Sequence, residues 1–314
     1  MRHLFSYSVY QELEKLSSDL DALFKDIRCD GLELLTSHEP VDPVYKQYTR
    51  SVHLPYTTDW LSAWNGHPYE MSEYYAKYYM YGRGREEILS TIRSMIMFAA
   101  PLEPCHGVIH ASNVNLEELH LRSYTGDSKQ ILSTFAEMMN SAISEMEGGE
   151  PPFKLAFENL WWPGLRMLDS SDYKLLEKKL EFENWGICLD TGHLMNTLPD
   201  IMTEQDGIEA VLRIIDGYST DTLDAISAVH FHYSASGEYR KTFEEKRYED
   251  GPINDFISGC YKHITTLDQH LPFNDPRCRE ILERIQPENV IHELPGHGHD
   301  PVLDYRQQRS LLPR

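Results

Sequence analysis

A chain of 314 residues with 41% hydrophobic content can bury a large core, yet no run of it approaches the ~20 consecutive apolar residues of a membrane span. Its 50 Asp and Glu against 29 Lys and Arg leave a formal charge of -21, which disfavours nucleic acid, because such binding draws on cations that neutralise phosphates. Cys29, Cys105, Cys188, Cys260 and Cys278 stand singly, with no CxxC pair and an odd total, so a reducing, cytoplasmic setting is expected rather than a disulfide framework.

The N-terminal "RHLFSY" passes directly into a charged helical pattern, without the apolar core of a signal peptide, and reads as a first strand. In chain order the β-rich runs are Arg2 to Tyr7, Asp30 to Leu35, Ser51 to Tyr56, His106 to Ser112, Phe153 to Asn159, Trp185 to Asp190, Ile226 to Tyr233 and Asn289 to Pro295. Amphipathic segments between them predict helices over Glu12 to Lys25, Arg85 to Phe98, Ser128 to Glu147, Asp172 to Phe182 and Gly207 to Gly217. Pro40 and Pro43 leave little room for a helix in the second unit. Nearly apolar strands alternating with helices predict a parallel sheet buried on both faces, here a single-domain (β/α)₈ TIM barrel over residues 1–314.

In such a barrel the loops and strand ends at the C-terminal face carry function. There the chain places His53, His110, Glu158, Asp190, His230 or His232, and Glu293, with His193 three residues beyond Asp190. Taken singly, each has a plain structural explanation: a packed histidine, or an acid such as Asp190 capping the next helix. Together, several carboxylates and imidazoles converging in a low-dielectric cup call for a cation between them. Mixed oxygen and imidazole donors suit Mn²⁺, Zn²⁺, Co²⁺ or Fe²⁺.

Other motifs are weak. "HELPGHGHD" has its second His one residue too far for HExxH, and Pro295 and Gly296 oppose the helix that motif needs. "GRGRE" at Gly82 lacks the third glycine of a dinucleotide loop and reads as the approach to the helix at Arg85, with Arg83 and Arg85 free to meet an anion. The aromatic stretch Trp60 to Gly84 suits packing, or a lid whose rings stack on a sugar. Trp161 and Trp162, in "ENLWWPG" just beyond Glu158, add to the lid.

The ordered set "DGLELL", "HLPY", "FEN", "LDTGH", "HFH" and "HELPG" resembles the xylose-isomerase-like TIM barrel superfamily, which includes sugar-phosphate isomerases and epimerases, tagatose-type ketose 3-epimerases, inosose dehydratase and endonuclease IV. The resemblance spans nearly the whole chain. It implies a metal site of Glu158, Asp190, His232 and Glu293, with His232 preferred to His230 as nearer the strand's C-terminal end. It also implies Glu158 and Glu293 as an acid/base pair, with His53, His110, His193, Trp162 and Arg240 as substrate-binding groups, His53 and His110 being alternatively ligands, with Glu158, of a second ion as in the endonuclease branch. The expected function is metal-dependent isomerisation or epimerisation of a small sugar, sugar phosphate or polyol, by proton transfer through a metal-stabilised enediolate. No membrane partner is expected, and a homo-oligomer is allowed. The alternatives are a metal-dependent phosphodiesterase like endonuclease IV and a metal-binding barrel without turnover. Against the endonuclease branch, "SASGEYRKTFEEKRYED", which follows the seventh strand, lacks that branch's Asp-x-His pair.

Overall fold

Eight parallel strands close on one another in chain order: β1 Arg2–Ser8, β2 Gly31–Leu35, β3 Thr49–His53, β4 His106–His110, β5 Lys154–Glu158, β6 Trp185–Asp190, β7 Ile226–His230 and β8 Asn289–His292, with β8 pairing back to β1. The structure is a computed structural model and describes residues 1–249, 251–294 and 300–313. The expected (β/α)₈ barrel is present. Pro295 and Gly296, invoked against the HExxH reading, lie outside the described residues, as does the last position of the predicted eighth run.

Several strands stop sooner than their apolar runs. After β3 the Leu54 N–H still donates to Val108 O at 2.9 Å, and then Pro55, which has no N–H, ends the ladder. After β7 the Phe231 N–H donates to Ile291 O at 2.8 Å, but the next N–H, of His232, turns to the Thr191 hydroxyl at 3.2 Å. His232 therefore lies outside the sheet.

The predicted helices form at Arg85–Ala99, Ser128–Ile143, Ser171–Lys179 and Glu204–Ile215. The one expected over Glu12 to Lys25 is split into Leu13–Leu16 and Leu20–Ile27, because "SSD" offers side-chain bonds that compete with helix continuation: Asp19 Oδ1 accepts from the Ala22 N–H at 2.9 Å and caps the second piece. Between β2 and β3 there is only the 3₁₀ turn Pro43–Tyr45, as the two prolines require. Helices at Glu73–Met80, Ile253–Leu267, Arg279–Ile285 and Pro301–Ser310 complete the shell. No described helix is long and apolar enough to cross a membrane.

Inside the barrel, Leu4, Val108, Ala156, Cys188, Ala228 and Ile291 form a fully buried apolar group, one residue from each of six strands. This plug sets the height of everything above it.

Candidate metal centre

Side chains alternate across a strand, so the residue two places beyond each plug position faces the same interior. On β4, β5, β6 and β7 those residues are His110, Glu158, Asp190 and His230, and just past β8 it is Glu293. The register confirms a common level: His110 lies opposite Glu158, and Asp190 opposite His230. His53, the last residue of β3, joins them.

Glu158 is fully buried at the centre. Its Oε2 lies 3.2 Å from His53 Nε2 and 3.1 Å from His110 Nε2, while its Oε1 lies 3.0 Å from His230 Nδ1 and 3.3 Å from His193 Nδ1. Burial alone would raise its pKa, but His230 and His110 outweigh that and hold it well below the carboxylate range. Glu293 Oε2 approaches His230 Nδ1 at 2.9 Å.

The "LDTGH" motif now has a physical reading. Asp190 Oδ1 accepts from the His193 N–H at 2.6 Å, capping the helix Thr191–Asn196, while Oδ2 faces His232 Nε2 at 2.9 Å. Cap and site residue are thus one side chain. The Thr191 hydroxyl donates to His232 O at 2.6 Å and fixes that loop. A Cβ at Gly192 would fall 2.2 Å from the His232 ring, so only glycine leaves that imidazole its place.

Among the described residues four overlapping groups each bring their ligand atoms within 4.8 Å of one another: His53, His110 and Glu158; Glu158, Asp190, His230 and Glu293; His193, Asp268 and His270; and His232, His270 and Glu293. The fourfold group has His230 where His232 was expected. The plug level and the early end of β7 put His230 in the central group with Glu158, Asp190 and Glu293. His232 stacks on His270 at 4.0 Å, keeps Nε2 on Asp190 Oδ2 at 2.9 Å, and belongs to the group with His270 and Glu293.

Asp268 and His270 were not anticipated. Asp268 ends the helix Ile253–Leu267, and its Oδ2 lies 3.2 Å from His193 Nε2 and 2.7 Å from His270 Nε2. This is an Asp-x-His pair, supplied from "LDQH" beyond the stretch directly after the seventh strand. Asp190 and Asp268 overcome the burial of His193 and raise its pKa well above the usual value, and Asp268 and Glu293 likewise lift His270 to about 9 despite its burial.

The donor set fits divalent ions on the chain's own geometry. A ligating imidazole needs its other nitrogen tied down. His53 Nδ1 donates to Leu54 O at 2.8 Å, His193 Nδ1 to Asn159 O at 2.9 Å and His270 Nδ1 to Glu293 O at 3.1 Å, while His230 Nε2 lies 2.8 Å from Glu33 Oε1 in charge contact only. Each leaves one nitrogen turned to the carboxylates.

Above the cup lies a cavity of about 570 Å³, walled by Trp161, Trp162 and Leu160 on one side and by Ile257, Tyr261 and Ile264 of the helix Ile253–Leu267 on the other. Trp162 therefore borders the site. Arg240 does not: it sits near Tyr124 and Arg166 and is absent from the described residues that line the cavity. Arg85 instead covers the Trp64 ring at 4.6 Å, and Arg83 bonds Met71 O. The aromatic stretch divides, with Trp60, Trp64 and Tyr81 buried in the core and Tyr79 reaching the cavity.

No protein-family model matches the chain, and no curated protein matches it in sequence. Among solved structures it is similar to an L-ribulose 3-epimerase, at 11% identity and a TM-score of 0.52 over 98% of this chain and 92% of that one. It is similar to a D-tagatose 3-epimerase-like protein at 18% identity and a TM-score of 0.50, over 93% and 89% of the two chains. Endonuclease IV from Thermus thermophilus matches at 15% identity and a TM-score of 0.50, over 99% and 98%. These likenesses are of fold: the chain shares the closed eight-stranded (β/α)₈ barrel of these proteins.

Proposed function

We propose that this barrel is a hydrolase that uses several divalent ions to cleave a phosphoester in a small anionic substrate. The observation that carries the reading is the division of Glu158, whose Oε2 serves the His53 and His110 side and whose Oε1 serves the His230 side. One carboxylate shared between two donor groups is what neighbouring ions require, and His193, Asp268 and His270 form a third group alongside. Divalent ions held there would supply Lewis acidity at a phosphoryl oxygen and charge to the attacking and leaving oxygens. Three dications would outweigh the carboxylates of Glu158, Asp190, Asp268 and Glu293 and leave the cup cationic, as an anionic ester demands.

The remaining residues have simpler tasks. Glu293, whose side chain is 24% exposed, faces the cavity with room to accept or return a proton. Trp161, Trp162, Ile257 and Ile264 exclude water and confine the substrate. The apolar roof and the charge of -21 both favour a small molecule over a duplex.

A second reading, sugar isomerisation or epimerisation with Glu158 and Glu293 exchanging protons, draws support from the openness of Glu293. Glu158 suits it less, since both its oxygens already face imidazoles. The test is metal analysis after reconstitution with Mn²⁺ or Zn²⁺, followed by assay of bis(p-nitrophenyl) phosphate and of ketose proton exchange in deuterated buffer. More than one tightly held ion per chain with ester cleavage is expected. A single ion with ketose exchange would transfer the assignment to the isomerase.

A further inference from the structure

Beside the metal cup lies a second cleft, of about 310 Å³, whose walls are mostly tyrosine. Tyr10, Tyr56, Tyr74 and Tyr75 are 63%, 53%, 63% and 40% exposed, so four open phenol rings gather at one concavity instead of scattering over the surface. Aromatic faces left open together mark a place where another flat group packs.

His38 lines the same cleft. It is only 5% exposed, and both its ring nitrogens are buried with no hydrogen-bond partner among the described residues. Burial and the nearby Lys77 charge hold its pKa down to about 4, so at neutral pH it is an uncharged imidazole offering one donor and one acceptor. Tyr78 packs edge-on to it at 5.1 Å and Tyr81 at 6.5 Å, so the imidazole is set among the tyrosines with its two nitrogens left unpaired in the cleft wall.

The cleft is joined to the metal cavity. Tyr56, Thr58 and Tyr79 line both, and Tyr56 stacks on His110 at 4.9 Å and 16°. A single molecule passing Tyr56 can therefore occupy the two together. Among the described residues no formally charged side chain lines the cleft, so the part of the ligand that enters is neutral. Apart from the phenol hydroxyls, Thr36, Thr58 and His38 are the polar side chains among the described residues of its wall, too few for the many hydroxyls of a sugar ring but suited to the edge of a heterocycle.

We propose that this cleft is a ring-binding subsite that takes a neutral planar heterocycle of the nucleobase class, stacked on the tyrosines with its edge met by His38. That the ring is borne on the molecule whose ester reaches the cup rests on the hydrolase reading; the ring site itself does not.

The experiment is calorimetric titration of the full-length protein with adenosine, uridine and, separately, glucose, none of which carries a phosphate. A nucleoside is expected to bind, glucose at the same concentration is not, and His38→Phe and the surface change Tyr75→Ser should each weaken the nucleoside at least fivefold without altering ion content. Binding of glucose alone, absence of nucleoside binding, or equal affinity in both variants overturns the subsite. Nucleoside binding without ester cleavage would keep the subsite and remove the hydrolase reading, whereas ester cleavage without nucleoside binding does the reverse.

Discussion

His230 and His232 show how two residues of one type, two places apart, acquire different work. His230 lies 2.9 Å from Glu293 Oε2 and 3.0 Å from Glu158 Oε1, two carboxylates of the central group, and its far nitrogen is 2.8 Å from Oε1 of the buried Glu33, in charge contact without hydrogen-bond geometry. His232 has one nitrogen on Asp190 and the other buried without a partner among the described residues. His230→Gln should therefore lower affinity for Mn²⁺ or Zn²⁺ by about tenfold or more, the usual effect of losing a well-oriented ligand, and by more than His232→Gln does. Equilibrium dialysis with ion counting decides it; an equal loss in both variants would return His232 to the central group. The sequence carried the alternation that places both histidines on one side of a continuing strand. It did not show where β7 ends, and that end depends on a long-range bond from the His232 N–H to Thr191.

The eight strands were legible as elements because each is a short apolar run, and the polar residues at their ends were legible as a set. The helix Ile253–Leu267 was not anticipated, although Ile253, Ile257, Cys260, Ile264 and Leu267 recur at helical spacing. Its neighbourhood is interrupted by Gly251, Pro252 and Gly259, and its C-terminal boundary is Asp268 itself, so overlooking the helix also hid the Asp-x-His pair. The helix has two roles: its end delivers Asp268 to His193, and its apolar side roofs the cavity. Truncating Ile257 and Ile264 together to Ala should remove roughly 1–2 kcal/mol of substrate contact, which is about a tenfold rise in KM, while leaving ion content unchanged. An unaltered KM accompanied only by a lower melting temperature would reduce the helix to a packing element.

At the scale of the whole molecule, the barrel closes where β1 meets β8, and that seam is built from neutral histidines. His3 Nδ1 lies 3.2 Å from His292 Nε2, and the Gln308 side-chain amide donates to His292 Nδ1 at 2.8 Å and to Phe231 O at 2.7 Å. Since the Gln308 nitrogen can only donate, His292 Nδ1 accepts, its Nε2–H donates to His3 Nδ1, and no acceptor remains for an added proton. Burial, with the Arg309 charge behind it, holds His3 down to about 3, and burial with His3 and Arg309 holds His292 well below its ordinary value. The sign follows directly: the unfolded chain binds these protons near pH 6.5 and the folded chain does not, so stability is complete above that pH and declines as the pH falls toward 3. At pH 5 the loss from His3 alone is about 2 kcal/mol. His3→Asn keeps an acceptor for the His292 Nε2–H but cannot titrate. Between pH 7.5 and pH 5, urea unfolding of the wild type should therefore lose about 2 kcal/mol more than unfolding of that variant, and identical pH dependence in the two would mean that the seam already accommodates the proton.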